Sequence, residues 1–163
     1  MALFLGLVCG IVGSVIVILN SKLAKCRKLY ITRNSLRVFE AVFFAFITTT
    51  AFYWLPHVIL ECKPMIGDDD YIDHKHYHLL VRGLCKKGEY SSMASLLYNT
   101  EADAIKAIMS GWVAPHGITM STVHMSFYLL IWFIFTVLTY GVWVPAGTFL
   151  PAIIIGCAIG SIY

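Results

Sequence analysis

Four stretches of the chain are almost wholly apolar, and a long polar interval separates the first two from the last two. Residues 2–19 form an unbroken apolar run, which as a helix rises about 27 Å, just enough to cross a bilayer core. Residues 38–60 form a second run, interrupted late by Pro56 and His57. Residues 119–140 form a third, free of charge and crowded with Phe127, Tyr128, Trp132, Phe133 and Phe135. A fourth runs over about 148–162. Residues 61–118 are polar, with a helix predicted near 91–109, where Met93, Leu96, Leu97, Ile105 and Ile108 line a partial apolar face. The predicted fold is therefore all-α: a polytopic integral membrane protein with broken helices.

Charge sets an orientation for this pattern. Lys22, Lys25, Arg27, Lys28, Arg33 and Arg37 fill the first link with no acid among them. Short loops rich in Lys and Arg stay cytoplasmic, so the 61–118 interval is predicted to be lumenal or extracellular. No charge follows Lys106, so the same rule does not orient the last two helices. Glu40 stands three residues after Arg37 at the start of the second run. A pairing with Arg37 and a structural role are expected there, in preference to proton transfer. Gly6 and Gly10, with Gly13 and Ser14 a turn further on, place small residues along one helix face, where another helix can approach closely.

Composition agrees with lipid as the solvent: 59% of residues are hydrophobic, 13% are charged, and the mean hydropathy is +0.77. The net charge of +3 is local to short segments, which argues against nucleic acid as a partner. The first run lacks a basic n-region and is followed by lysines, so it reads as a span and not as a signal peptide. The chain opens in an apolar run and closes in one, which reads as part of a longer polypeptide. His74, His76 and His78 alternate beside Asp68, Asp69, Asp70 and Asp73. The stretch reads as a solvated acidic loop, with no metal site assigned; a part in sensing lumenal acidity stays open.

The segment between the third and fourth runs, Gly141-Val142-Trp143-Val144-Pro145-Ala146-Gly147, cannot be helical throughout. Pro145 disfavours helix at Val144, and Gly147 tolerates backbone shapes that other residues avoid. A helix beginning after such a break presents unpaired N–H groups carrying about half a positive charge. With no lysine or arginine nearby in sequence, that start is a weak-field site suited to a small anion. The residues alone also fit a kinked hairpin that binds nothing.

Val144-Pro145-Ala146-Gly147-Thr148-Phe149-Leu150-Pro151 resembles the Gly-x-Phe-x-Pro filter motif of the CLC family of chloride channels and chloride–proton exchangers. The resemblance continues in order along the chain. Leu5-Gly6 to Leu29, with Asn20 and Leu23-Ala24-Lys25, is similar to a family helix with a basic tail. Arg37-Val38-Phe39-Glu40-Ala41 is similar to the opening of the next. Gly88-Glu89-Tyr90-Ser91-Ser92-Met93-Ala94, Leu97-Tyr98-Asn99-Thr100 and Thr139-Tyr140-Gly141 resemble the late-endosomal and lysosomal branch.

The resemblance implies that residues 1–163 are part of a CLC transmembrane domain that passes chloride, with the backbone N–H groups of Thr148 and Phe149 facing the ion. Gly147, Leu150 and Pro151 complete the filter loop. It implies chloride as the transported ligand, no cofactor and no enzymatic activity. The intact protein is expected to be a homodimer exchanging chloride for protons in a late-endosomal or lysosomal membrane. The alternatives are a plasma-membrane chloride channel and a truncated, non-transporting interaction subunit. The family usually has an apolar residue where Thr148 stands, so its hydroxyl either caps the helix or adds a donor near the ion. The gating and proton glutamates, the pore tyrosine and the CBS domains of the family have no counterpart here, and Glu40 does not match the proton glutamate. Cys62 and Cys85 match cysteines of the lumenal branch, which implies a disulfide; Cys9, Cys26 and Cys157 are expected to be free.

Overall fold

A computed structural model describes residues 2–64, 80–110, 121–144 and 147–162. Its helices are α1 (Ala2–Tyr30), α2 (Asn34–Val58), α3 (Ser92–Leu97), α4 (Glu101–Ser110), α5 (Thr122–Thr139) and α6 (Phe149–Ile162). Strands β1 (Cys62–Pro64) and β2 (Glu89–Ser91) lie between α2 and α3. Helices α1, α2 and α5 are each long and apolar enough to cross a membrane, and α6 is a shorter apolar helix.

Helix α1 does not stop at Leu19, where the apolar run ends, but continues through the lysines to Tyr30. Lysine and arginine are good helix formers, and no Pro or Gly interrupts them, so nothing in the chain breaks the helix there. Its 29 residues rise about 44 Å, well beyond a hydrocarbon core of about 30 Å. The basic part is therefore a helical extension and not a loop. One stripe of α1 is shielded by the rest of the chain, running through Val12, Ile16, Asn20 and Ala24 to Arg27. Gly6, Gly10 and Gly13 lie off that stripe, and a Cβ added at any of them meets nothing within 4 Å.

Helix α2 likewise runs on through Pro56, which is buried, to Val58. Thr48 and Thr49 donate their hydroxyls back to the carbonyls of Phe44 and Ala45, at 2.9 and 2.8 Å. A hydroxyl facing lipid is satisfied by its own helix in this way.

The polar interval between α2 and α5 is more structured than a single helix. β1 and β2 pair antiparallel with Cys62 opposite Ser91, and Cys62 and Cys85 are joined by a disulfide. Ser91 then caps α3, its Oγ accepting from Ala94 N, while Ser95 Oγ donates to Ser91 O at 2.8 Å. The helix predicted near 91–109 is in fact two, broken at Tyr98–Thr100, because Thr100 starts a new one. Its carbonyl accepts from Ala104 N, and its Oγ1 accepts from Asp103 N at 3.3 Å and donates to Asp103 Oδ2 at 2.7 Å. Thr100 thus caps α4 through its hydroxyl, and the Asp103 carboxylate holds that hydroxyl in place by accepting its proton.

The core gathers Met93, Leu96 and Leu97 of α3, Ala104, Ala107 and Ile108 of α4, Met125 and Tyr128 of α5, and Ile154 and Ala158 of α6. Phe52, Leu55 and Ile59 at the end of α2 close its side. Helices α3 and α4 thus sit as a plug on α5 and α6.

Candidate anion site at the start of the last helix

The break opens where α5 ends. Tyr140 N still donates to Thr136 O, but Tyr140 has an extended backbone and Gly141 follows at φ +88°. That left-handed conformation suits glycine. A Cβ at Gly141 would also lie 3.4 Å from the Arg27 guanidinium and 3.8 Å from Ala24. The backbone freedom expected of Gly147 is therefore needed at Gly141 instead. Gly147 has no positive φ and open space around it. Pro145 and Ala146 lie outside the described residues.

The chain re-enters helix at Thr148. Ala152 N donates to Thr148 O at 3.1 Å, which closes the first turn of α6 and makes Thr148 its N-cap. Phe149, Leu150 and Pro151 are then the first three helical positions. A helix start leaves its first four N–H groups without intrahelical partners. Pro151 has none to leave, so the donors presented are those of Thr148, Phe149 and Leu150. A threonine N-cap ordinarily accepts from the second or third helical N–H. The third is missing here, so capping by the Thr148 hydroxyl is confined to Leu150 N. Gly147 and Thr148 are exposed, and the Phe149 and Leu150 side chains are 74% and 40% exposed. The described residues form one side of a site at this helix start and leave the other side uncovered.

Arginines do lie beside the break, contrary to the expectation drawn from sequence distance. The Arg27 guanidinium donates to Tyr140 O at 2.8 Å and to Leu138 O, two carbonyls at the α5 C-terminus. Its Nε pairs with Glu40 Oε1 at 2.6 Å, with both side chains about nine-tenths buried. Glu40 is therefore structural, but its partner is Arg27 and not Arg37. Arg37 instead lies over the Trp143 ring, 3.7 Å from its centroid, and bonds Asn34 Oδ1 at 3.3 Å. Among the described residues no carboxylate pairs with Arg37. Arg27 won Glu40 because α1 delivers a planar donor fork opposite α2, while Arg37 finds an indole face within reach.

These contacts orient α5. Its C-terminus lies against Arg27, at the basic end of α1. Its N-terminus lies against the polar interval, where His124 Nδ1 is 3.1 Å from Glu61 Oε2, without hydrogen-bond alignment. The break is thus on the side of the basic residues. A hollow of about 300 Å³ lined by Ile108, Met109, Cys157, Gly160 and Ser161 lies toward the opposite end of α6. His74, His76 and His78, and the aspartates from Asp68 to Asp73, fall outside the described residues. Cys9, Cys26 and Cys157 are free.

A family model described as voltage gated chloride channel matches residues 1–163. The chain is 33% identical over 159 residues to the human (Homo sapiens) H(+)/Cl(-) exchange transporter 7, covering 98% of this chain and 18% of that protein. It is 28% identical over 164 residues to chloride channel protein C of Dictyostelium discoideum, covering 98% of this chain and 21% of that one. Chloride channel protein CLC-b of Arabidopsis thaliana is 29% identical over 170 residues, which cover 97% of this chain and 20% of the relative. The chain spans about a fifth of the length of these relatives. Matched from its first residue to its last, and carrying three helices fit to cross a bilayer, the chain is an integral membrane protein of the voltage-gated chloride channel (CLC) family.

Proposed function

We propose that this chain supplies one wall of an anion pathway, in which the backbone N–H groups of Thr148 and Phe149 coordinate chloride during transport across a membrane. Gly147, Leu150 and Pro151 shape the loop around the ion. The observation that carries the reading is the helix start itself: three N–H donors without a partner among the described residues, at the positive end of the α6 dipole, with exposed Gly147 before them. Such donors replace the hydration of a small anion while holding it weakly enough to release it.

The chain works in this reading as part of a longer CLC polypeptide, as a transporter and not an enzyme, and without a cofactor. Chloride–proton antiport is the activity we assign, supported by the similarity to H(+)/Cl(-) exchange transporter 7. We assign the protein to late-endosomal or lysosomal membranes, on the branch resemblance of residues 88–100, and to a homodimer.

Phe149→Pro in the full-length polypeptide tests the site. Proline is well accommodated at the first helical position, so the substitution deletes one N–H and leaves the helix intact. Chloride flux in proteoliposomes is expected to fall at least about tenfold, as loss of a donor to a charged ligand implies. Phe149→Ala, which keeps the N–H, should retain most of the flux. Equal flux in the two variants contradicts the assignment.

A further inference from the structure

Helix α5 ends with the carbonyls of Leu138 and Tyr140 beside the buried Arg27 side chain. Orphan carbonyls at a helix C-terminus need donors, and the dipole there favours a cation. Arg27 meets both needs with two N–H groups of one planar fork, and its third bond, from Nε, goes to Glu40. A buried arginine needs a counter-charge, and Glu40 of α2 supplies it. The Arg27 guanidinium also stands 5.3 Å from the Phe44 ring centroid, a second contact with α2. One side chain therefore ties α1, α2 and the end of α5 together. Gly141 is the residue that lets the chain turn past the same guanidinium. Two residues on, Trp143 is stacked under Arg37 from the start of α2.

The two contacts hold the turn from which the segment to α6 departs. From Trp143 to Gly147 there are only four residue steps, a reach of at most about 14 Å. The turn therefore fixes the origin of a short tether, which limits where the start of α6 can lie. Helix-start donors coordinate an ion only when they converge on it, and displacement by a few tenths of an ångström changes which anion fits.

We infer that Arg27, with Glu40, and Arg37, with Trp143, are positioning residues that clasp the turn before α6 and so set the anion preference of its N-terminal donors. This rests on the proposed anion site. Neither arginine touches the ion. Arg27 acts through the carbonyls of α5, and Arg37 acts through the Trp143 ring.

The test compares Arg27→Lys and Arg37→Lys in the full-length polypeptide, reconstituted in liposomes, with Phe149→Pro as a third arm. Lysine keeps the charge but has no planar fork to span two carbonyls or to lie flat on an indole. The readout is the ratio of nitrate to chloride flux per reconstituted protein. A merely structural role lowers both fluxes together and leaves the ratio alone. We expect each lysine variant to shift the ratio by about three- to tenfold, as for one weakened hydrogen bond in the coordination shell. An unchanged ratio in Arg37→Lys overturns the inference, and that arm decides alone should Arg27→Lys fail to reach the membrane. If Phe149→Pro keeps full chloride flux, the anion site itself is wrong. If it loses flux while the lysine variants keep the wild-type ratio, the site stands and the clasp falls.

Discussion

Arg27 shows how one side chain can change role between sequence and fold. In sequence it is one cation among six in a basic link, read as a topology signal. In the structure it is 7% exposed and holds carbonyls 111 and 113 residues away. No local spacing encodes such a contact; the nearby Arg37–Glu40 spacing pointed to the wrong partner because it is the only short-range pairing there. Local chemistry can also be passed over, where an apolar pattern runs across it. Asp103, three residues after Thr100, is one such case. The Thr100 hydroxyl, and then Lys106, hold the Asp103 carboxyl below the ordinary aspartate range. A carboxyl lowered on folding stabilises the folded state above its unfolded pKa of about 3.9, and that stabilisation is lost as pH falls through the lower folded value. The α4 cap should therefore persist at mildly acidic pH. Amide-exchange protection of the first turn of α4, corrected for intrinsic rates, should be flat from pH 7 to pH 5 and lower in Asp103→Asn throughout. Equal protection in the two proteins removes the cap.

At the scale of elements, the apolar runs predicted the helices, but their ends were set by features that hydropathy does not register. α1 overran its apolar stretch because lysine and arginine continue a helix as readily as leucine. The helix near 91–109 split because Thr100 and Asp103 form a start signal inside an otherwise helical stretch. The β1–β2 pair went unpredicted, since three-residue strands carry no periodic signal. The disulfide draws these small elements together. It joins Cys62 in β1 to Cys85 in the turn before β2, across a separation of 23 residues. Closing such a loop stabilises by roughly 3 kcal/mol in the chain-entropy account. Cys62→Ser and Cys85→Ser should each lower the thermal midpoint of the detergent-solubilised protein, and a reductant should lower that of the wild type alone. Cys26→Ser, at an exposed free thiol, should change neither. A wild-type midpoint insensitive to reductant contradicts a bridge that matters for stability.

The described residues have a basic side and, opposite it, a side formed by the β1–β2 pair with α3 and α4, and the contacts along α5 tie the two together. Arg27 and Arg37 grip the turn where α5 ends, while α3 and α4 plug the far ends of α5 and α6. Between these anchors α6 begins with three backbone donors that have no partner among the described residues, and its first residues face outward from the described chain. From the sequence, the break and the helix start could be placed, and the family motif gave them a ligand. The clasp around them could not be read, because it is assembled from residues that meet only once α1, α2 and α5 have packed. Everything proposed for transport depends on chloride binding at this helix start. Bromide, a chloride analogue with usable anomalous scattering, tests that binding directly in crystals of the full-length polypeptide. An anomalous peak is expected within hydrogen-bonding reach of the Thr148 and Phe149 nitrogens; bromide peaks elsewhere in the transmembrane region, with none at these two amides, would overturn the site.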